Sequence, residues 1–146
     1  MKIESTAFKN NNLIPQKYTC DGENINPPLM ISNVPGNVKS LVLIVDDPDA
    51  SSGTFVHWTV WNIDPKIAEI PEGSVPAEAA EGITDFGRPG YGGPCPPSGT
   101  HRYFFKLFAL DMTLDLDPSA RARDIEKEME DNILAEAQLV GLYRRQ

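Results

Sequence analysis

Thirteen prolines and eleven glycines punctuate this chain of 146 residues, and their placement constrains the fold more than any other feature. Proline removes a backbone donor and ends helices, so a chain interrupted this often does not build a mainly helical bundle. The turn signals are Asn26-Pro27-Pro28, Val34-Pro35-Gly36, Asp64-Pro65 and the segment from Gly87 to Gly99. Between them lie short runs with strand character. Residues 40–46 are apolar and β-branched and stop at Asp46-Asp47-Pro48, which predicts a central strand buried on both faces. Residues 54–63 predict a longer strand whose alternation puts Phe55, His57, Thr59 and Trp61 on one face. Residues 102–110, extended back to His101, predict a third, with His101, Tyr103, Phe105 and Leu107 sharing a face. Weaker strand signals lie at 3–8, 28–32 and 79–86. One helix is expected near 119–131, behind Asp117-Pro118, with Ala122, Ile125, Met129 and Ile133 on one side. Residues 134–144 suit either a strand or a helix. The sum is a mainly β, mostly antiparallel domain spanning 1–146, with one or two peripheral helices.

Composition narrows the function classes. Apolar residues make up 40% and charged residues 23%, a globular balance. The formal charge is −8, and it is local: nine acids face one base, Lys66, between Asp46 and Asp85. An acidic chain of this kind is unsuited to nucleic acid, which demands a broad basic surface. The longest strictly apolar run, Leu41–Val45, is far below the roughly 20 residues of a membrane helix, so no stable membrane insertion is expected. Residues 1–15 carry no leader pattern, which makes a cytoplasmic location the expectation. Cys20 and Cys95 form no CxxC motif. They read as two free thiols, with pairing in an oxidising compartment as the alternative.

Polar groups that can carry chemistry gather at the strand ends. Asp47 and Asp49 are two apart, so in an extended chain their carboxylates project to one side; a solvated turn is the ordinary reading. His57 and His101, the two histidines of the chain, each have aromatic neighbours on their own strand face. Taken singly, each reads more simply as a hydrogen-bonded core or edge residue. The segment from Gly87 to His101 is too stiff for a linker and too glycine-rich for a strand. Its glycines can turn consecutive N–H groups towards one anion, and its prolines can hold that shape. It is neither a nucleotide-hydrolysing phosphate loop nor a dinucleotide fingerprint, because it lacks Gly-Lys-Ser/Thr and leads into a strand.

These segments resemble the phosphatidylethanolamine-binding protein family in its bacterial and archaeal Raf-kinase-inhibitor-like branch. The resemblance rests on Asp47-Pro48-Asp49-Ala50 with Gly53-Thr54-Phe55-Val56-His57-Trp58, and on the run from Gly92 to Tyr103. Tyr18-Thr19-Cys20-Asp21-Gly22, Pro27-Pro28-Leu29 and the end from Ala135 to Tyr143 agree as well, so it covers nearly the whole chain. It implies a Greek-key antiparallel β-sandwich with short helices attached, and one small anion pocket at an end of the central sheet. Carried over by position, the pocket lining is Asp47, Asp49, His57, Gly93, Pro94, Cys95, His101 and Tyr103. Ser51 stands where the family usually has proline, which implies a more polar wall.

The expected function is non-catalytic binding of a small phosphate-bearing or zwitterionic ligand. The imidazoles supply donors, Tyr103 a hydroxyl, and the aspartates fix the imidazole tautomers. No cofactor is implied. The family's kinase-inhibitor name points to regulation of a protein partner such as a kinase, and a homodimer is compatible with the sequence. The competing class is an enzyme: a metal-dependent hydrolase built on His57, His101, Asp47 and Asp49, or a thiol-dependent one built on Cys95.

Overall fold

Two sheets of unequal size share one apolar interior in the computed structural model, which describes residues 1–145. In chain order the strands are β1 (Lys2–Glu4), β2 (Asn12–Leu13), β3 (Leu29–Ser32), β4 (Ser40–Asp47), β5 (Phe55–Ile63), β6 (Glu69–Ile70), β7 (Ala80–Glu81) and β8 (His101–Leu110). The helix α1 (Ala122–Met129) and the strand β9 (Ile133–Tyr143) complete the chain, and a single 3-10 turn covers Gln16–Tyr18. The small sheet has the order β1-β3-β6 and the large one β2-β9-β8-β4-β5-β7. The fold is therefore mainly β with one α-helix among the described residues. Residue 146 of the expected 1–146 domain lies outside them.

β4 is buried along its whole length, as an apolar run without alternation predicts. Its Leu41, Leu43 and Val45 face the small sheet, where Ile3, Leu29, Ile31 and Ile70 join the main core. Its Val42 and Ile44 face the other way, against Ile125 and Met129 of α1 and Leu114 and Ala120 of the segment before it. The helix is shorter than the expected 119–131. Residues 117–120 form a turn instead, in which Asp117 accepts the Ser119 and Ala120 amides. Asp124 accepts the Arg121 amide at the helix start. Residues 134–144 resolve as strand, since β9 pairs with β8 from His101↔Tyr143 to Leu110↔Ile133.

Three departures from the expected pattern have local causes. The weak signals at 3–8 and 79–86 yield only β1 and the two-residue β7, and β6 carries no signal in the sequence. β2 runs parallel to β9, an exception to the antiparallel expectation. The alternation along β5 breaks twice. Val45 pairs with Trp58 but Asp46 with Val56, so His57 is an extra residue inserted opposite β4. Leu41 pairs with Ile63 but Leu43 with Val60, a second insertion that contains Asn62 at φ 57. A bulge sends neighbouring side chains to the same face. His57 therefore meets Phe55 and Tyr103 on the side of the main core, while Trp61 packs with α1 on the other. The single face expected for Phe55, His57, Thr59 and Trp61 does not form.

Cys20 and Cys95 are joined in a disulfide, with Cα atoms 5.5 Å apart across 75 residues of sequence. This overturns the free-thiol expectation: turns far apart in the chain are brought together, and sequence spacing carries no sign of that. Around the bridge, Cys20 N–H donates to the Pro94 carbonyl at 3.1 Å and Tyr91 O–H to the Tyr18 carbonyl at 2.7 Å. Closing so long a loop stabilises the native state by about 2–5 kcal/mol through the unfolded chain. Replacing both cysteines by serine should lower stability by about that amount, read as a fall in the denaturation midpoint. An unchanged midpoint would show that the bridge does not form.

Candidate functional site

A cavity of about 260 Å³ opens at the end of the large sheet where β4 exits and β8 begins. Asp47, His57, Cys95, His101 and Tyr103 line it, together with Ser51, Phe55 and Phe86. The sheet register brings this group together. Asp47 lies opposite Phe55, and Tyr103 continues the core face of Phe105 and Leu107.

The two histidines are held differently. His57 Nδ1 lies 2.7 Å from the Gly92 carbonyl, and the Gly92 amide returns a bond to the His57 carbonyl at 3.0 Å. A carbonyl only accepts, so Nδ1 carries the proton and Nε2 is the nitrogen left to a ligand. His57 is 4% exposed, and burial lowers its pKa below the usual histidine value against the opposing pull of the Gly92 carbonyl and Asp47. His101 Nδ1 lies 2.7 Å from Asp47 Oδ2, while the other Asp47 oxygen accepts the Asp49 amide, also at 2.7 Å. This is a histidine oriented by a carboxylate, with no hydrogen bond to its Nε2 among the described residues.

Tyr103 is 1% exposed, and its hydroxyl has no hydrogen-bond partner of good geometry among the described residues. The Cys95 backbone N–H lies near it but closes no bond of good geometry. Burial, followed by the charge of Asp47, raises its pKa well above the usual phenol value, so it stays a neutral donor. Buried hydroxyls are almost always paired, so an orphan on a residue that lines a cavity is unusual.

Asp49, Gly93 and Pro94, expected in the lining, stand behind it. Asp49 accepts the Arg102 amide and Nε at 2.9 Å and Nη2 at 2.8 Å. The guanidinium holds its carboxyl down at about 2. Gly93 N–H donates to Asn24 Oδ1 at 2.8 Å, and the Pro94 carbonyl accepts the Cys20 amide. The Gly92 and Gly93 donors are thus used within the protein. These glycines serve close packing instead. A Cβ on Gly92 would lie 2.3 Å from the Phe86 ring, and one on Gly93 2.3 Å from the Tyr18 carbonyl oxygen.

Phe86 is the lining residue that the sequence hides. It lies in a stretch that reads as weak strand, yet Thr84 makes a turn there, its Oγ1 accepting the Phe86 amide at 3.1 Å. The turn sets the Phe86 ring edge-on to His57 and Phe55, with centroids 5.3 and 4.9 Å away. A turn around Thr84-Asp85-Phe86-Gly87 is the signal that would have found it. Among the described residues no group of three or more His, Cys, Asp or Glu side chains stands together as a metal-holding set, and the Cys95 sulfur is in the disulfide.

Comparison with known proteins agrees with this fold. The sequence model described as phosphatidylethanolamine-binding protein matches residues 4–144, and the chain belongs to that family. It is 51% identical to a UPF0098 protein of Methanothermobacter thermautotrophicus, over 99% of each chain. With a UPF0098 protein of Pyrococcus horikoshii it shares 53% identity over 97% of this chain and 75% of the relative. Among solved structures, a phosphatidylethanolamine-binding protein homologue from Chlamydia trachomatis superposes with a TM-score of 0.95 at 39% identity, covering 99% of this chain and 97% of that one. E. coli YbcL, described as a new member of the mammalian family, gives 0.93 at 30% identity, covering 99% and 98%.

Two predictions follow from the geometry. Tyr103→Phe removes a buried hydroxyl without a well-formed bond, so its unfolding free energy should match the parent or rise by up to about 1 kcal/mol; a clear loss of stability would reveal a partner. Asp49 has a folded pKa below its unfolded one, so its stabilisation is complete above about pH 4 and lost as pH falls towards 2. Thermal midpoints of Asp49→Asn and the parent should converge across that acid range and separate above it.

Proposed function

We propose that this protein is a non-catalytic binding module whose pocket takes one small phosphate-bearing ligand or phosphorylated group. The observation that carries the reading is the unpartnered, buried hydroxyl of Tyr103, a residue that lines the same cavity as His57 and His101. The Asp47 carboxylate holds His101 by its Nδ1, which leaves Nε2 as the ring nitrogen for a ligand. Family membership supports the same reading, since the matching family is described by a phospholipid headgroup ligand.

The hydrolytic alternative finds less support. The Cys20–Cys95 bridge leaves no thiol nucleophile, and the clustered donors form no metal-holding group among the described residues. Regulation of a protein partner such as a kinase, and a homodimer, are extensions of the reading that a co-purification from the native cell tests. The bridge also bears on location. Disulfides persist in oxidising compartments and in the cytosol of some heat-adapted organisms, so the expected cytoplasmic location fits only a cell of the second kind.

Titration of the protein with inorganic phosphate, followed by NMR of the imidazole ring signals, tests the pocket. Both His57 and His101 should shift at millimolar phosphate or below. Tyr103→Phe and His101→Gln should each weaken binding by roughly 5- to 50-fold, the worth of one neutral or charged hydrogen bond. Silence of both histidines at millimolar phosphate sinks the reading.

A further inference from the structure

One wall of the cavity is held covalently. Cys95, Pro96 and Pro97 line it on that side, and the Cys95 amide lies beside the Tyr103 hydroxyl. As far as Pro94 the loop is tied down by hydrogen bonds: Gly92 to His57, Gly93 to Asn24, Pro94 to Cys20, and the Tyr91 hydroxyl to Tyr18. Beyond it the ties change character. Among the described residues no hydrogen bond of good geometry anchors the segment 95–100, and only Pro96 of that segment is buried. The bridge to Cys20 fixes where the segment starts, and β8 fixes where it ends, at His101. Cys95 is exposed and Cys20 half-buried, so solvent reaches the bridge from the Cys95 side. Neither cysteine belongs to the apolar core, and the two sheets keep their packing when the bridge opens.

We propose that the Cys20–Cys95 bridge is a thiol–disulfide exchange site: a dithiol reductant opens it in the folded protein, which releases the 95–100 wall and weakens ligand binding in the cavity. The ligand consequence rests on the anion-binding reading above. Exposed bridges are the ones open to exchange. A thiolate of the dithiol attacks the Cys95 sulfur, the Cys20–Cys95 bond breaks, and Cys20 leaves as a thiolate that takes up a proton. The second thiol of the reductant then attacks the mixed disulfide, frees Cys95 as a thiol and closes a disulfide on the reductant. Two electrons and two protons pass from the dithiol to the cysteines. A wall seated only about a tenth of the time lowers the apparent affinity about 10-fold. Linkage demands the reverse effect as well: a bound ligand favours the closed bridge by the same factor.

The test is an NMR titration of the intact protein with inorganic phosphate, once oxidised and once under excess dithiothreitol. Under the dithiol the amide order parameters of Ser98, Gly99 and Thr100 should fall, while the Trp61 indole signal, on the far side of the sheet, stays in place. Phosphate should then bind about 10-fold more weakly than to the oxidised protein. Saturating phosphate should lower the reduction potential of the bridge by about 30 mV, the equivalent of that factor. Cys20→Ser breaks the bridge without replacing a lining residue and should bind phosphate as the reduced parent does; if it does not fold, the dithiol series on the parent decides. Equal affinities in the two redox states, or a bridge that opens only when the whole protein unfolds, overturn the coupling and leave the anion pocket standing. No phosphate response from the oxidised protein overturns the pocket itself, and the order parameters then decide the exchange site alone.

Discussion

The extra residue that β5 inserts opposite Val45 is the constraint on which the pocket depends. Without it, His57 would alternate away from Trp58 and join Thr59 and Trp61 on the far side of the sheet. With it, His57 and Trp58 share the core side. A bulge leaves backbone groups without partners in the strand ladder. The segment after β7 supplies them: Asp85 N–H bonds to the Val56 carbonyl at 3.0 Å, and Gly92 exchanges bonds with His57 through both backbone and ring. The same contacts bring Phe86 and the loop carrying Cys95 to the cavity. Strand irregularity, loop course and imidazole tautomer are thus one arrangement.

Charge makes sense once the pairs across the sheet are followed. The chain is strongly acidic, and three of its aspartates lie within four residues at the end of β4. Each meets a basic residue of β8: Asp46 with Lys106, Asp47 with His101, Asp49 with Arg102. Only the middle pair opens into the cavity. The outer pairs fix the strand ends and cancel carboxylates that would otherwise repel an anion. A single oriented site does not need a basic surface, because a few donors in a recess act at bond length while distant surface charges are screened by salt.

Much of this was legible in the sequence. The long strands, the doubly buried β4 and the helix face at Ile125 and Met129 follow from apolar periodicity, which burial enforces. Asp47, His57, His101 and Tyr103 are grouped by the family resemblance, since the aspartate and the histidines taken singly read as ordinary turn or core residues. The remainder depends on long-range geometry. Asp49 reads as a twin of Asp47, yet a half-exposed arginine one residue past His101 captures it. Gly93 reads as an anion-binding amide, but its hydrogen bond goes to Asn24, 69 residues away. The disulfide and the ring of Phe86 are equally invisible to local pattern, because each is positioned by a loop that folds back over the sheet.

The orphan hydroxyl at Tyr103 ties these features together. A fold selected for stability alone would place phenylalanine there, since the hydroxyl pays for its burial with no bond in return. Much around it is fixed: the imidazoles have Nδ1 partners, the Gly93 amide is bonded to Asn24, and Gly92 and Gly93 are packed to contact. On the proposed reading, a donor held dry by fixed neighbours is preorganised, because a ligand's acceptor would meet a group already desolvated.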